Sequence, residues 1–327
     1  VPHHPGRIEF IGSDGRRHYR NGRFKRLEDL EEYTPQDPDA VRARVESLLE
    51  AVHATRIGWC YAFDGPSSVI SQIGYQDYYM GLYDNPEFIH EFLKRQEEST
   101  NSIMDTVLEY DPDAAFVGAN LCMKTGPAMR IEMAEEFVLS GMDRQVMRLR
   151  QAGVPVILHS DGNNRALMDR WVDMGIDAFH PVEACPGFDI FDAKAGWGDD
   201  IALLGSIDVM LLAEGTVEAV RRETLRHLEG LSSGGGYICG SSHDIDDNCR
   251  IEHVVEADFN GGHEDRRREL TELLDRVSSH PALPDDVGGT MEVLKEDRTV
   301  QIRHGTFTDW FGPYEVHIYR ADTPSSD

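Results

Sequence analysis

The chain has 327 residues, 40% hydrophobic and 28% charged, with a formal net charge of −27. That length suits one large domain or two small ones, and the composition is that of a soluble globular protein. The charge argues against nucleic-acid or anionic-membrane partners, and the lack of any apolar run of about 18 residues argues against a membrane span.

Of the 32 basic residues only five are Lys. So acidic a chain suits a salt-adapted proteome and cytoplasm, where surface repulsion is screened. A GC-rich genome would also favour Arg over Lys. No signal peptide is visible, so a cytoplasmic location is expected. The five cysteines (Cys60, Cys122, Cys185, Cys239 and Cys249) are odd in number and form no CxxC, so reduced thiols are expected.

In chain order, residues 1–40 read as an entry segment. They hold a polar hairpin (Arg7 to Phe10, then Arg17 to Phe24) and a helix start at Leu27. Residues 41–280 read as one β/α unit after another. Strands are expected at 57–63, 114–120, 153–160, 177–182, 200–207 and 235–241. Helices are expected at 85–109, after the start signal Asn85-Pro86, and at 131–152, ending at Gly153. Two more follow at 163–175 and at 215–230, the latter opening with Thr216 and Glu218. Residues 264–279 read as a charged helix, and Pro281, Pro284 and Gly288-Gly289 as a linker. Residues 281–327 form a small C-terminal β appendage. Within it 291–320 alternate as a hairpin bent at Gly312-Pro313.

Regular alternation of strand and helix predicts an α/β fold with a parallel sheet. Several strands end in polar residues: Asp64, Asn120, His159 with Asp161, His180, Asp208, and His243 soon after the last. A (β/α)8 TIM barrel gathers such ends on one mouth, whereas a doubly wound sheet spreads them along an edge. No GxGxxG follows a strand. Gly234-Gly235-Gly236 precedes a strand, so it is not a phosphate loop. A barrel needs eight strands and six are read. Either N-terminal strands lie upstream of Val1, or the entry segment closes the barrel irregularly.

The most informative stretch is Val154 to Asn163, VPVILHSDGN, an apolar run ending in His159 and Asp161. Two residues apart on a strand, their side chains point the same way. An imidazole beside a carboxylate can bind a metal or handle a proton. The plainer reading is a His–Asp bond that orients a loop. Glu183 and His180 are candidates for acid–base work, although Glu183 can equally pair with a cation. Asp208 is a candidate catalytic residue or a helix N-cap. Asn120 and Tyr79 are candidate substrate contacts. Tyr79 belongs to a group with Tyr75, Tyr78 and Tyr83 that either lines a mouth or packs the barrel. Cys60 and Cys239 read as buried thiols, and Cys122 as near the mouth. His53, His253, His263 and His304 read as surface residues.

Four segments then stand in a known order. They are HSDGN at 159–163, GIDAFHPVE at 175–183, LLGSID at 203–208 with Gly215-Thr216, and GGYICGSSHDI at 235–245. Gly126-Pro127 and Asp64-Gly65-Pro66 fit the same order. The chain resembles the uroporphyrinogen decarboxylase-like superfamily over roughly residues 25 to 260. That superfamily includes metal-dependent methyltransferases acting on corrinoid or thiol carriers. The resemblance implies a (β/α)8 barrel. In the methyltransferase branch a His-x-Cys and a later Cys hold zinc. Here His159 matches the His, Asp161 replaces the first Cys, and His243 falls where the second Cys sits.

The resemblance thus implies a divalent metal, zinc first, on His159, Asp161 and His243. Iron(II), manganese or cobalt also suit this harder donor set. The implied function is methyl transfer between a small methylated donor or acceptor and a corrinoid protein or thiol. No Asp-x-His-x-x-Gly motif occurs, so any corrinoid would ride on a partner protein. A homodimer is compatible with the sequence. The rival within the superfamily is metal-free decarboxylation, but the Arg-Gln-Ala-Gly-Arg segment of that branch is absent. The rival outside enzymology is a ligand-binding barrel without chemistry.

Overall fold

The computed structural model describes residues 6–11, 17–52, 58–243, 245 and 249–250, and the backbone of 289–293, 298–302 and 319–320. The chain divides into a large unit, which holds the parallel sheet and its helices, and a small one, which holds the C-terminal strands.

The expected N-terminal hairpin is a two-stranded sheet of β1 (Arg7–Ile11) and β2 (Arg17–Gly22). A 3-10 turn at Leu27–Glu32 and α1 (Pro38–Val52) follow. Next come β3 (Cys60–Phe63), α2 (Ser68–Ile73), α3 (Tyr75–Asp84) and α4 (Pro86–Leu108). Pro86 opens α4, at a position where the N–H that proline lacks would have no helical partner. Its buried residues Phe88, Ile89, Phe92, Ile103, Met104 and Val107 recur at helical spacing and form the stripe that packs on the core.

β4 (Ala114–Gly118) is followed by a small antiparallel pair, β5 (Cys122–Met123) and β6 (Gly126–Pro127). The helix expected at 131–152 is present but interrupted. α5 (Ile131–Ala134) runs into a π turn at Glu135–Leu139 and then α6 (Ser140–Gln151). There the Ser140 hydroxyl donates to the Glu135 carbonyl at 2.7 Å, a local bond that competes with the regular helical ladder. β7 (Val156–His159), α7 (Met168–Met174), β8 (Ala178–His180), α8 (Ile190–Trp197) and β9 (Ala202–Ile207) continue the alternation. α7 stops at Gly175, whose φ of 84° puts it in the left-handed region that glycine adopts freely. α9 (Val209–Glu214), α10 (Val217–Leu231) and β10 (Tyr237–Ser241) complete the unit. The Thr216 hydroxyl accepts from the Ala219 N–H and caps α10.

All six expected strands lie in one parallel sheet of order β3-β4-β7-β8-β9-β10. Order in space equals order in the chain. A doubly wound sheet reverses its order at a switch point, and this one never does. The fold is therefore α/β of the barrel-wall type. Among the described residues the edge strands β3 and β10 pair on one side only, so the ring is not seen closed. That edge position corrects one expectation: Cys60, read as core, is exposed on β3.

The sheet has two unlike faces. Ala115, Val117, Val156, Leu158, Phe179 and Leu203 are wholly buried. They alternate with Phe116, Ile157 and His159, which keep partial access. Registers pair Gly118 with His159 and His159 with His180, so these residues form one row at the carboxyl end. No helix among the described residues is long and apolar enough to cross a membrane.

The small unit holds β11 (Gly289–Val293), β12 (Arg298–Ile302) and β13 (Tyr319–Arg320) in the antiparallel order β12-β11-β13. The appendage is thus three-stranded rather than a single hairpin, and Gly289 starts a strand instead of ending a linker. The helix expected at 264–279, the bend at Gly312-Pro313, and His53, His253, His263 and His304 lie outside the described residues.

Candidate functional site

The row at the carboxyl end of the sheet carries two histidines in contact. His159 Nδ1 and His180 Nδ1 are 2.9 Å apart, and their rings stack at 5.2 Å with a 29° tilt. One of the two nitrogens must carry the hydrogen and the other accept it. Phe116 meets His180 edge-on at 5.8 Å. Burial, and then the charge of His159, push the pKa of His180 down to about 4. His180 is therefore a neutral imidazole at neutral pH.

Asp161 lies at the centre. Its Oδ2 is 3.7 Å from His159 Nε2 and 3.7 Å from His243 Nε2. That is ion-pair distance, longer than a hydrogen bond. Its Oδ1 is buried and has no hydrogen-bond partner among the described residues. Burial alone would raise the pKa of Asp161. The contact with His159 and the charges of His159, His243 and His180 outweigh it, and the carboxyl is held below its ordinary value. His159 and Asp161 do converge, but not through the strand pleat. β7 ends at His159, and Asp161 is carried back by the turn that follows.

Neighbouring loops fix that turn. The Asp161 N–H donates to Asn120 Oδ1 at 3.4 Å, and Asn120 has a φ of 40°, unusual for a residue with a side chain. The Gly162 N–H donates to Glu183 Oε2 at 2.9 Å, while Glu183 Oε1 pairs with Lys124 Nζ at 3.2 Å. A Cβ at Gly162 would sit 2.8 Å from the carbonyl oxygens of Cys122 and Met123, so only glycine fits. Asn163 ties two more loops together: its N–H donates to the Met123 carbonyl at 2.9 Å and its Nδ2 to the Pro186 carbonyl at 3.1 Å.

The structure thus gathers His159, Asp161, His180 and His243, with Glu183 and Asn120 against the same turn. Asp208 is engaged elsewhere: its carboxylate accepts from the Met210 N–H at 2.9 Å and caps α9. Tyr79 is half-buried on α3, its ring against Tyr78 at 5.4 Å, and burial raises the pKa of its hydroxyl. In the same helix Tyr78 is wholly buried, while Tyr75 and Tyr83 are exposed. The thiol of Cys122 is pushed up to about 12 by burial and then by Cys185, so it stays protonated at neutral pH. Cys239 is only partly buried. Sequence reasoning missed Lys124 and Asn164. Lys124 sits in the turn between two two-residue strands that carry little pattern, and Asn164 follows the turn residues unremarkably.

The donor chemistry suits a divalent cation: two imidazoles and one ionised carboxylate, of which one oxygen is buried and lacks a partner. Ligand atoms bound at about 2.0–2.2 Å to a tetrahedral ion stand roughly 3.4 Å apart, near the two 3.7 Å separations seen. Among the described residues no group of three or more His, Cys, Asp or Glu side chains could hold a metal ion as they stand. Closure would fall to His243, whose side chain is 47% exposed against 19% for His159 and 30% for Asp161. It is the member of the set with most room to move.

Comparison with known proteins decides the family. The family model described as Uroporphyrinogen decarboxylase (URO-D) matches residues 13–257. The chain belongs to this family. It is 28% identical over 177 residues to a uroporphyrinogen decarboxylase of Pseudomonas fluorescens (strain Pf0-1), covering 53% of this chain and 47% of that protein. It is 27% identical over 176 residues to the uroporphyrinogen decarboxylase of Pseudomonas entomophila, with the same coverage. The chain thus spans about half the length of the curated relatives it matches. Among solved structures, a methyltransferase from Methanosarcina mazei superposes with a TM-score of 0.62 at 17% identity, over 81% of this chain and 76% of that one. At that identity the likeness shows a shared fold.

Proposed function

We propose that this URO-D family protein is a metal-dependent methyltransferase, moving a methyl group between a small methylated substrate and a corrinoid protein or thiol. The observation that carries this reading is Asp161: an ionised, half-buried carboxylate midway between two imidazoles, with one oxygen unpartnered. His159, Asp161 and His243 would hold the ion, zinc first. A cation so bound is a Lewis acid that stabilises a thiolate or a leaving oxygen.

The chain's own residues prepare this site. For His159 to offer a lone pair on Nε2 to an ion held by Asp161, its proton must sit on Nδ1. His180, neutral and 2.9 Å away, is the acceptor that keeps it there. Glu183 holds the Gly162 end of the turn through one oxygen and Lys124 through the other, which leaves Lys124 at the mouth for an anionic group. Asn120 bounds the opposite side of the turn. Any corrinoid would be carried by a partner protein.

Metal-free decarboxylation is the second reading. It draws on the names of the relatives and on Lys124, a cation able to meet a substrate carboxylate. Metal content separates the two. Protein purified without chelator should carry about one equivalent of zinc or another transition metal, lost in His159→Ala. A folded wild-type chain that holds no metal, and takes up none when zinc is added, would shift the reading to decarboxylation or to ligand binding without chemistry.

A further inference from the structure

We infer that Asn164 is the positioning residue for Asp161. The inference rests on the proposed role of Asp161 as a metal ligand and names what sets its geometry. Asn164 is wholly buried. Its Nδ2 shares two hydrogens among three successive carbonyls, those of Ser160 at 2.9 Å, Asp161 at 3.0 Å and Gly162 at 3.1 Å. Three oxygens in a row can face one amide only if the backbone curls around it. That curl is the turn that brings Asp161 back beside His159.

The amide cannot reverse. Its Oδ1 accepts from the indole Nε1 of Trp171 at 3.3 Å, and Trp171 is itself wholly buried on α7. A flipped amide would set an oxygen against three carbonyl oxygens and an NH2 against an N–H. Trp171 thus fixes Asn164, Asn164 fixes the 160–162 turn, and the turn fixes the carboxylate. The outer surface of the turn is held separately, by Asn120 on the Asp161 N–H and Glu183 on the Gly162 N–H. Asn164 supplies the inner hold that those contacts presuppose.

Two variants test this in the full chain, with zinc ion as the probe. Asn164→Asp keeps the shape and the Trp171 acceptor but removes both amide hydrogens. Trp171→Phe keeps the ring packing and frees the amide. Zinc affinity should fall about 10- to 100-fold in Asn164→Asp and less in Trp171→Phe, measured well below the melting temperature of each variant. A merely structural role would lower the melting temperature and leave the affinity of the folded protein within about two-fold. Hydrogen–deuterium exchange supplies a readout independent of metal. In both variants, faster exchange should be confined to the amides of residues 160–164.

If the wild-type protein binds no zinc but exchange rises in that turn alone, the metal reading fails and the positioning by Asn164 stands. Unchanged exchange there overturns the inference, and so does a rise spread evenly over the sheet. Undiminished zinc affinity in Asn164→Asp also overturns it.

Discussion

The two faces of the parallel sheet are made by the same strands and do different work. On β7, Val156 and Leu158 are wholly buried, while Ile157 and His159, which alternate with them, keep partial access. On β8, Phe179 is wholly buried and His180 next to it is not. The buried face is apolar and packs without polar groups to satisfy. The other ends in two touching imidazoles and the Asp161 carboxylate. Stability and chemistry are thus interleaved residue by residue, which a period of two allows and a helix does not. Substitutions on the two faces should have opposite signatures.

The largest effect on stability belongs to the buried face. Phe179→Ala should destabilise the fold by about 3–5 kcal/mol, read from denaturant unfolding, because the cavity cannot be filled by a packed neighbour. A loss under about 1 kcal/mol would show that this face is not the core.

Acidification should come next, acting through the other face. The pKa of His180, about 4 in the folded protein, lies below the ordinary 6.5, so the unfolded chain takes up the proton first. Its contribution is whole above pH 6.5 and lost between pH 6.5 and 4, up to roughly 3 kcal/mol. Asp161, with its pKa lowered, loses its own contribution as pH falls through its folded value. The slope between pH 6.5 and 4 should flatten in His180→Gln. An unchanged slope would place the titrating group elsewhere.

Ile157→Ala should cost less than about 2 kcal/mol, since its side chain is only partly removed from water. The smallest effect on stability should be that of Asp161→Asn. It removes a half-buried charge at constant shape and should leave the unfolding free energy within about 1 kcal/mol. Zinc binding should nevertheless fall at least ten-fold. Loss of stability without loss of binding would reverse the assignment of the two faces.

Much of this was legible in the chain. Apolar runs between turn residues marked all six parallel strands, and their polar ends marked the mouth. The helix breaks were less legible. The π turn at Glu135–Leu139, where the Ser140 hydroxyl bonds to the Glu135 carbonyl, is announced by no periodicity. The residues that support the site were hidden for a similar reason. Asn164 and Lys124 work through partners brought in from other loops, and a buried asparagine looks in sequence like any turn residue.

The sequence by itself determined the alternation of strand and helix, the candidate site residues His159, Asp161 and His243, and the family. Each rests on local pattern, spacing or motif. Only the tertiary structure decided that His159 and Asp161 meet through a turn rather than along a strand. It also decided that His180 touches His159, that Asp208 caps a helix, and that Cys60 lies on an exposed edge. Those facts depend on strand register and on hydrogen bonds between distant loops. Such bonds join loops that only the packed layers bring together, and no short stretch of sequence encodes them alone.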